Sequence, residues 1–252
     1  MEKVRKPFQG IFNIIRFNWH FYLIAAVLTV IFHLFTLHCT GIIKLCFQIF
    51  ECLFTLLLTV SLLVSYYVYD LSGFYNLDWV NKSDDHISVL NIHAGFDETS
   101  SLLKKKFINS NFKTLDFYNP KKHTEISIKR ARKQYPPYPN TITIETNNIQ
   151  LPTESVDRIY VILSAHEIRN HSERIAFFLE LKRLIKTKGQ VIVIEHLRDL
   201  PNGLVYNIGA FHFYSKSTWL TTFRKAQLIL VSEHKHTPFI SIFTLEKNGN
   251  TL

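Results

Sequence analysis

Two kinds of pattern divide the chain. In its first 70 residues apolar side chains run all round, with no charge between Arg16 and Lys44 and a second uncharged run over 52–69. A membrane-crossing helix needs roughly 17 to 25 mostly apolar residues, so this pattern predicts two spanning helices, at about 18–40 and 45–69. From residue 87 onward short apolar runs alternate with longer amphipathic ones. They predict strands over 87–92, 112–117, 141–145, 156–163, 190–195, 228–233 and 239–245, and helices over 98–107, 120–134, 172–186 and 217–226. Such alternation argues for a doubly wound α/β sheet. Only 234–238 separates the last two strands, too short for a crossover, so they are expected to form an antiparallel hairpin. Asn119-Pro120 reads as a helix start, and Gly189 as the stop after Lys186-Thr187-Lys188.

The organisation expected is a membrane hairpin over 1–70, a linker over 71–85 and an α/β domain over 86–252. Lys3, Arg5, Lys6 and Arg16 precede the first apolar run, and only Lys44 lies near the turn. The positive-inside rule then places the α/β domain on the cytoplasmic side of the cytoplasmic membrane. Tyr66, Tyr67 and Tyr69, with Phe74, Tyr75 and Trp79, read as an interfacial belt leading into the linker. Glu51 falls near the membrane interior or interface. The three cysteines, Cys39, Cys46 and Cys52, all fall in the hairpin, so no thiolate zinc site is expected in the domain. A net charge of +9 suits an anionic leaflet. The basic residues are dispersed along helices, which argues against a nucleic-acid partner. Oligomeric state is not legible.

The stretch Val89-Leu90-Asn91-Ile92-His93-Ala94-Gly95-Phe96-Asp97-Glu98 runs from a strand through a small-residue loop into a helix, as nucleotide-type cofactor sites do. Leu115-Asp116-Phe117-Tyr118-Asn119-Pro120, Asn147-Asn148-Ile149-Gln150-Leu151-Pro152, Ser155-Val156-Asp157-Arg158-Ile159 and Leu181 to Gln190 follow in order. This succession resembles the class I S-adenosylmethionine-dependent methyltransferase family over about residues 87–247. The resemblance implies a Rossmann-like seven-stranded sheet with an antiparallel last strand, and S-adenosyl-L-methionine as cofactor. It implies a cofactor site at Asn91, His93, Ala94, Gly95 and Asp97 under the methionine part, Asp116 and Phe117 at the ribose, Asn147 and Asn148 at the adenine, and Ser164 nearby. Asn91 and Asn147 replace acidic residues of the family pattern, and His93 and Asp97 replace glycines. Asp97 is expected to keep the turn because aspartate tolerates the left-handed region.

Loops at the carboxyl ends of the strands are the place for chemistry. Ser164-Ala165-His166-Glu167-Ile168-Arg169 follows the fourth strand, Glu195-His196-Leu197-Arg198-Asp199 the fifth, and Phe211-His212-Phe213 lies in the connection beyond. His166 is the expected base, with Glu167 or Glu195 tuning it and Arg169 or Arg198 holding an anionic group. His196 and His212 complete the catalytic set. Phe211, Phe213, Tyr214 and Trp219 are candidates for an aromatic lid. A metal held by His93, His166, His196 and Glu195 is an alternative resting on topology, and no metal is assigned. His123, His234 and His236 are expected to take no catalytic part, His123 within an exposed helical first turn over 121–125. The expected function is a membrane-anchored methyltransferase acting on a lipophilic small molecule presented by the bilayer (a quinone, lipid or hydrophobic metabolite). The alternative is a scaffold that kept the fold and lost the donor site.

Overall fold

A computed structural model describes residues 5–80, 86–123 and 125–247. Lys3, Thr124 and the 81–85 end of the expected linker lie outside the described residues. The predicted hairpin is present as α1 (Gln9–His38) and α2 (Gly41–Tyr66), both long and apolar enough to cross a membrane. Their side chains face almost entirely outward, unlike those of a core helix. α1 starts earlier than the apolar pattern suggests and breaks at Asn18, where φ and ψ are −115° and 17°. The segment before the break packs on the sheet domain; the apolar run 19–38 after it is about 30 Å long. α2 passes directly into a π-helical turn, Tyr67–Leu71. Such turns are rare and cluster at functional sites.

The sheet comprises β1 (Ser88–His93), β2 (Asn111–Asp116), β3 (Ile142–Thr143), β4 (Val156–Ile162), β5 (Ile185–His196), β6 (Leu228–Thr237) and β7 (Ile240–Lys247). Its seven strands run in the order β3-β2-β1-β4-β5-β7-β6. β7 is antiparallel to both neighbours, and the first five strands are parallel. The expected terminal hairpin is therefore present. The connecting helices are α3 (Ser100–Lys106), α4 (Ile126–Gln134), α5 (His171–Leu184), α6 (Leu200–Tyr206) and α7 (Lys216–Lys225).

Central strands bury both faces, so neighbours along them serve different cores. Val161, Val193 and Phe243 meet Phe177, Phe178 and Leu181 of α5 and Trp219 and Phe223 of α7. On the opposite face Tyr160, Ile194 and Ile242 pack against Leu103 and Phe107 and against Val68, Phe74, Leu77 and Val80. The chain leaving the hairpin thus covers the second face: Phe74 and Leu77 are 1% and 0% exposed. Tyr69 and Phe74, read as belt residues, point into the domain.

Three local expectations are corrected. The helix expected from Pro120 starts at Ile126. Asn119 makes only an isolated turn, its side chain accepting from the Lys121 N–H at 2.9 Å and its carbonyl from Lys122 and His123. The His123 ring then folds back to accept the Asn119 N–H at 2.8 Å and is buried, not exposed. Residues 185–189, read as a helix end and stop, open β5 instead. Gly189 is needed for close approach, since a Cβ there would lie 2.9 Å from the Val156 carbonyl. α6 escaped the pattern, although Asp199 caps it from the Asn202 N–H and Pro201 suits its first turn.

Candidate functional site at the carboxyl edge of the sheet

The strand order reverses between β1 and β4, which opens a crevice at their carboxyl ends. β1 delivers His93 to this edge, and the chain turns at Gly95 with φ +91°. Glycine adopts that conformation without strain. Asp97 keeps the next turn by side-chain bonding, not by the left-handed backbone expected of it. Its Oδ1 accepts the Thr99 and Ser100 N–H groups, both at 2.9 Å, at the start of α3. Asn91 braces the loop from beneath, donating to Thr99 Oγ1 at 3.0 Å and Ser100 Oγ at 2.8 Å. These polar side chains do the structural work that additional glycines would leave to the backbone.

Three buried atoms in and beneath this loop have no hydrogen-bond partner: Asn91 Oδ1, His93 Nε2 and Asp97 Oδ2. His93 Nδ1 accepts the Gly95 N–H at 3.1 Å, so the ring proton of the neutral imidazole sits on Nε2. Burial keeps the ring neutral, lowering its pKa despite Asp97 and Asp116 nearby. Nε2 lies 3.9 Å from Asp97 Oδ2, and neither atom makes a hydrogen bond within the protein. A buried donor and a buried acceptor side by side fit an amino-acid head group carrying both ammonium and carboxylate.

The remaining expected cofactor residues differ in placement. Asp116 ends β2, but its Oδ2 is 2.6 Å from Arg132 of α4 and its Oδ1 accepts the Tyr118 N–H at 2.8 Å. Arg132 also crosses Gly95: a Cβ built there would lie 2.6 Å from Nη1. Ala94 is buried, Phe117 packs on Phe177, and Ser164 Oγ donates to the Ile92 carbonyl at 3.2 Å, tying β4 to β1. Asn147 and Asn148 lie exposed in a tight turn beyond β3, and neither lines the cavity described below.

The turn after β4 brings the catalytic candidates together. His166 Nδ1 lies 2.6 Å from Glu195 Oε2, and its backbone N–H donates to Glu195 Oε1 at 3.1 Å. Its Nε2 is 3.3 Å from Glu167 Oε1, which is also 3.5 Å from His212 Nε2. His212 Nδ1 in turn lies 2.9 Å from Glu125. Burial opposes charge on His166, yet Glu195 and Glu167 outweigh it and hold the pKa well above the ordinary histidine range. Glu167 is pulled low by His166 and His212 against the cost of its burial. A ring clamped between two carboxylates is a poor proton acceptor at neutral pH, which removes the reason for assigning His166 as the base. Arg169 reaches the His212 carbonyl at 2.7 Å, the His212 ring and Glu125, and does not pair with Glu167. Arg198 is exposed.

His196, at the end of β5, has the opposite character. Its Nδ1 faces the Phe239 carbonyl at 2.9 Å and Asn202 Oδ1 at 3.2 Å, so Nδ1 carries the proton. Nε2 is left to accept the Tyr69 hydroxyl at 2.7 Å. Burial lowers its pKa to about 4, so the ring is neutral at physiological pH. Tyr69 comes from the π-helical turn at the foot of α2. The alternative metal set of His93, His166, His196 and Glu195 is not assembled: His93 uses Nδ1 on the Gly95 N–H, both ring nitrogens of His196 are engaged, and both Glu195 oxygens serve His166. Among the described residues the ligating atoms of His166, Glu167 and His212 do lie within 4.8 Å of one another.

A cavity of about 220 Å³ joins these parts, lined by His93, Phe96, Glu98 and Thr99 from the β1 loop and by His166, His196, Tyr69 and Phe213. Gly10, Asn13, Ile14 and Phe17 of α1 form its roof. Glu98 fastens that roof, accepting from Arg5 (3.2 Å), Gln9 (3.0 Å), Asn13 (3.1 Å) and Tyr75 (2.9 Å). Asp70 holds the first turn of α1 through the Gly10 and Ile11 N–H groups, both at 2.8 Å. The aromatic lid is only partly realised. Phe213 stacks on His196, Phe211 points to solvent, and Trp219 lies in the core with Tyr214 against it. Tyr69, read as a belt residue, and Glu98, Glu125 and Arg132 were not identified as site residues from the sequence. The one available signal was Tyr69-Asp70, a phenol and an acid ending a long apolar run.

No family model and no curated protein matches this chain. Solved structures do. A SAM-dependent methyltransferase from Aquifex aeolicus is 17% identical with a TM-score of 0.50, over 69% of this chain and 88% of its own. PigF with S-adenosylhomocysteine is 14% identical with a TM-score of 0.50, over 70% of this chain and 60% of its own. The α/β domain therefore has the class I methyltransferase fold, as the order of motifs led one to expect.

Proposed function

We propose that the protein is an S-adenosylmethionine-dependent methyltransferase, anchored in the cytoplasmic membrane with its α/β domain on the cytoplasmic side, acting on a hydroxyl of a lipophilic small molecule. The observation that carries this reading is the unpartnered pair His93 Nε2–H and Asp97 Oδ2, of which His93 lines the same cavity as Tyr69 and His196 while Asp97 lies buried 3.9 Å behind it. His93 and Asp97 would hold the amino-acid end of the cofactor, and Asp116 the ribose hydroxyls once Arg132 swings away. When bound, the cofactor supplies an electrophilic methyl group on a sulfonium centre.

What the chain's own residues contribute is position and a path for a proton. An oxygen acceptor becomes a competent nucleophile as it loses its proton. Tyr69 would take that proton while passing its own to His196 Nε2, 2.7 Å away, so that the phenol ends as it began. His196 starts neutral, with Nε2 unprotonated and accepting from the Tyr69 hydroxyl, as the role requires. The roof of α1 and the stacked Phe213 keep water from competing for the methyl group. The hairpin supports the lipophilic acceptor: the cavity roof is the root of the hairpin itself, so an acceptor dissolved in the bilayer reaches the site at high effective concentration.

Calorimetric titration of the full chain in detergent with S-adenosylmethionine and S-adenosylhomocysteine tests the reading. Binding of both in the micromolar range is expected. No binding up to millimolar ligand would overturn it and leave a non-catalytic scaffold as the better account.

A further inference from the structure

We infer that His166, Glu167 and His212 form a binding site for a borderline divalent transition-metal cation, of the zinc or ferrous type, beside the proposed acceptor pocket. Each histidine has one ring nitrogen on a carboxylate: His166 Nδ1 on Glu195 at 2.6 Å, and His212 Nδ1 on Glu125 at 2.9 Å. The other nitrogen of each, Nε2, then converges on one oxygen, Glu167 Oε1, at 3.3 and 3.5 Å, with Arg169 Nη2 also 2.7 Å from the His212 Nε2. Metal-bound histidines characteristically donate their second nitrogen to a carboxylate, which fixes the ring and raises its basicity. Here that support is built twice, from different elements, around a single shared point.

The supports are also firm. Glu195 is fully buried and grips the His166 backbone N–H as well as its ring. Two imidazole nitrogens and a carboxylate oxygen are a donor set that zinc and ferrous iron accept and that magnesium and calcium disfavour. Charge points the same way. Glu125, Glu167 and Glu195 bring three negative charges into a small volume, with Arg169 the nearest fixed cation. Metal binding displaces the ring protons of its histidine ligands, and with both imidazoles neutral a dication would balance the remaining two negative charges. It would take the place of Arg169 at the His212 ring, leaving the guanidinium on the His212 carbonyl and Glu125. His166 also lines the cavity, so the proposed cation site adjoins the acceptor pocket. A role in ionising an acceptor oxygen rests on the methyltransferase reading; binding of the cation does not.

The full chain, purified in detergent and stripped with a chelator, is titrated with Zn²⁺ against a chromophoric competitor. One equivalent is expected to bind. His212→Ala, at a half-exposed position that leaves the core intact, is expected to weaken binding at least 100-fold, and Glu125→Gln about 10-fold or more. His236→Ala, outside the cluster, should bind as the parent does. Circular dichroism confirms that each variant is folded. Failure of the parent to bind one equivalent, or unchanged affinity in His212→Ala, would overturn the assignment. Because the readout is metal alone, it stands apart from the cofactor titration: either can fail while the other succeeds.

Discussion

At the scale of single residues, the decisive contrast is between two buried histidines on one sheet edge. His166 sits between carboxylates and holds a proton; His196 sits against a carbonyl and an amide oxygen and is kept neutral at its other nitrogen. His196→Gln is therefore expected to leave S-adenosylhomocysteine affinity within about twofold while lowering turnover 100-fold or more. Equal loss of both would show that the ring only supports the pocket. The same residue predicts a pH effect. Its pKa is about 4 in the folded chain against 6.5 for an ordinary histidine. The unfolded chain therefore binds the extra proton first. The stability this residue contributes is complete above pH 6.5 and is lost as pH falls towards 4, reaching about 2 kcal/mol at pH 5. Urea melts at pH 7 and pH 5 should show a smaller loss in His196→Gln than in the parent. A loss of equal size in both proteins would contradict it.

Arg132 supplies a second prediction at this scale. It pairs with Asp116 at 2.6 Å and lies over Gly95, where a bound ribose would need the carboxylate free. The arginine side chain is a third exposed, so the ion pair contributes about 1 kcal/mol. Arg132→Ala is expected to tighten S-adenosylhomocysteine binding about fivefold by removing this competitor. Weaker binding in calorimetry would show instead that Arg132 holds the cofactor.

At the scale of elements, α1 is two devices in one helix. Before Asn18 it roofs the cavity; after Asn18 it is apolar all round. The roof hangs on Glu98 and Asp70, with Gly10 allowing the closest approach: a Cβ there would lie 2.5 Å from the Tyr69 Cβ. Glu98→Gln strips a partly buried carboxylate of its Arg5 ion pair and is expected to cost about 2–3 kcal/mol. Hydrogen exchange should rise in residues 9–17 and stay unchanged in β4 and β5. An equal rise everywhere would mean the roof is not an independent unit. Elements also explain what the sequence discloses. The strand pattern and terminal hairpin are legible because central strands are apolar on both faces and a five-residue connection permits only antiparallel pairing. The start of β5 is not, since Lys186, Thr187 and Lys188 read as a solvated helix end and become strand only through pairing with β4. The loop's chemistry is legible in Gly95 and His93. The partnership of Tyr69 with His196 is not, because the two meet only after the foot of the hairpin folds beneath the sheet edge.

At the scale of the whole molecule, the cavity of the proposed site lies at the carboxyl edge of the sheet against α1 and the foot of α2. α6 and the turn Asn207–His212 continue that edge next to α2. They present Leu204 and Ile208 to the outside, 63% and 84% exposed. A soluble surface has no use for such a face, whereas a bilayer surface level with the foot of α2 would bury it. Ile108 offers an internal control. It is 75% exposed but lies before β2, at the opposite, amino edge of the sheet. In a chain with Cys39, Cys46 and Cys52 replaced by serine, Ile208→Cys and Ile108→Cys are each labelled with a polarity-sensitive fluorophore. After reconstitution into vesicles, the label at 208 should report an apolar environment and the label at 108 water. Water at both positions would mean that the domain stands clear of the bilayer. The acceptor would then have to leave the lipid before reaching Tyr69, and a lipophilic substrate would lose its structural support while the cofactor site kept its own.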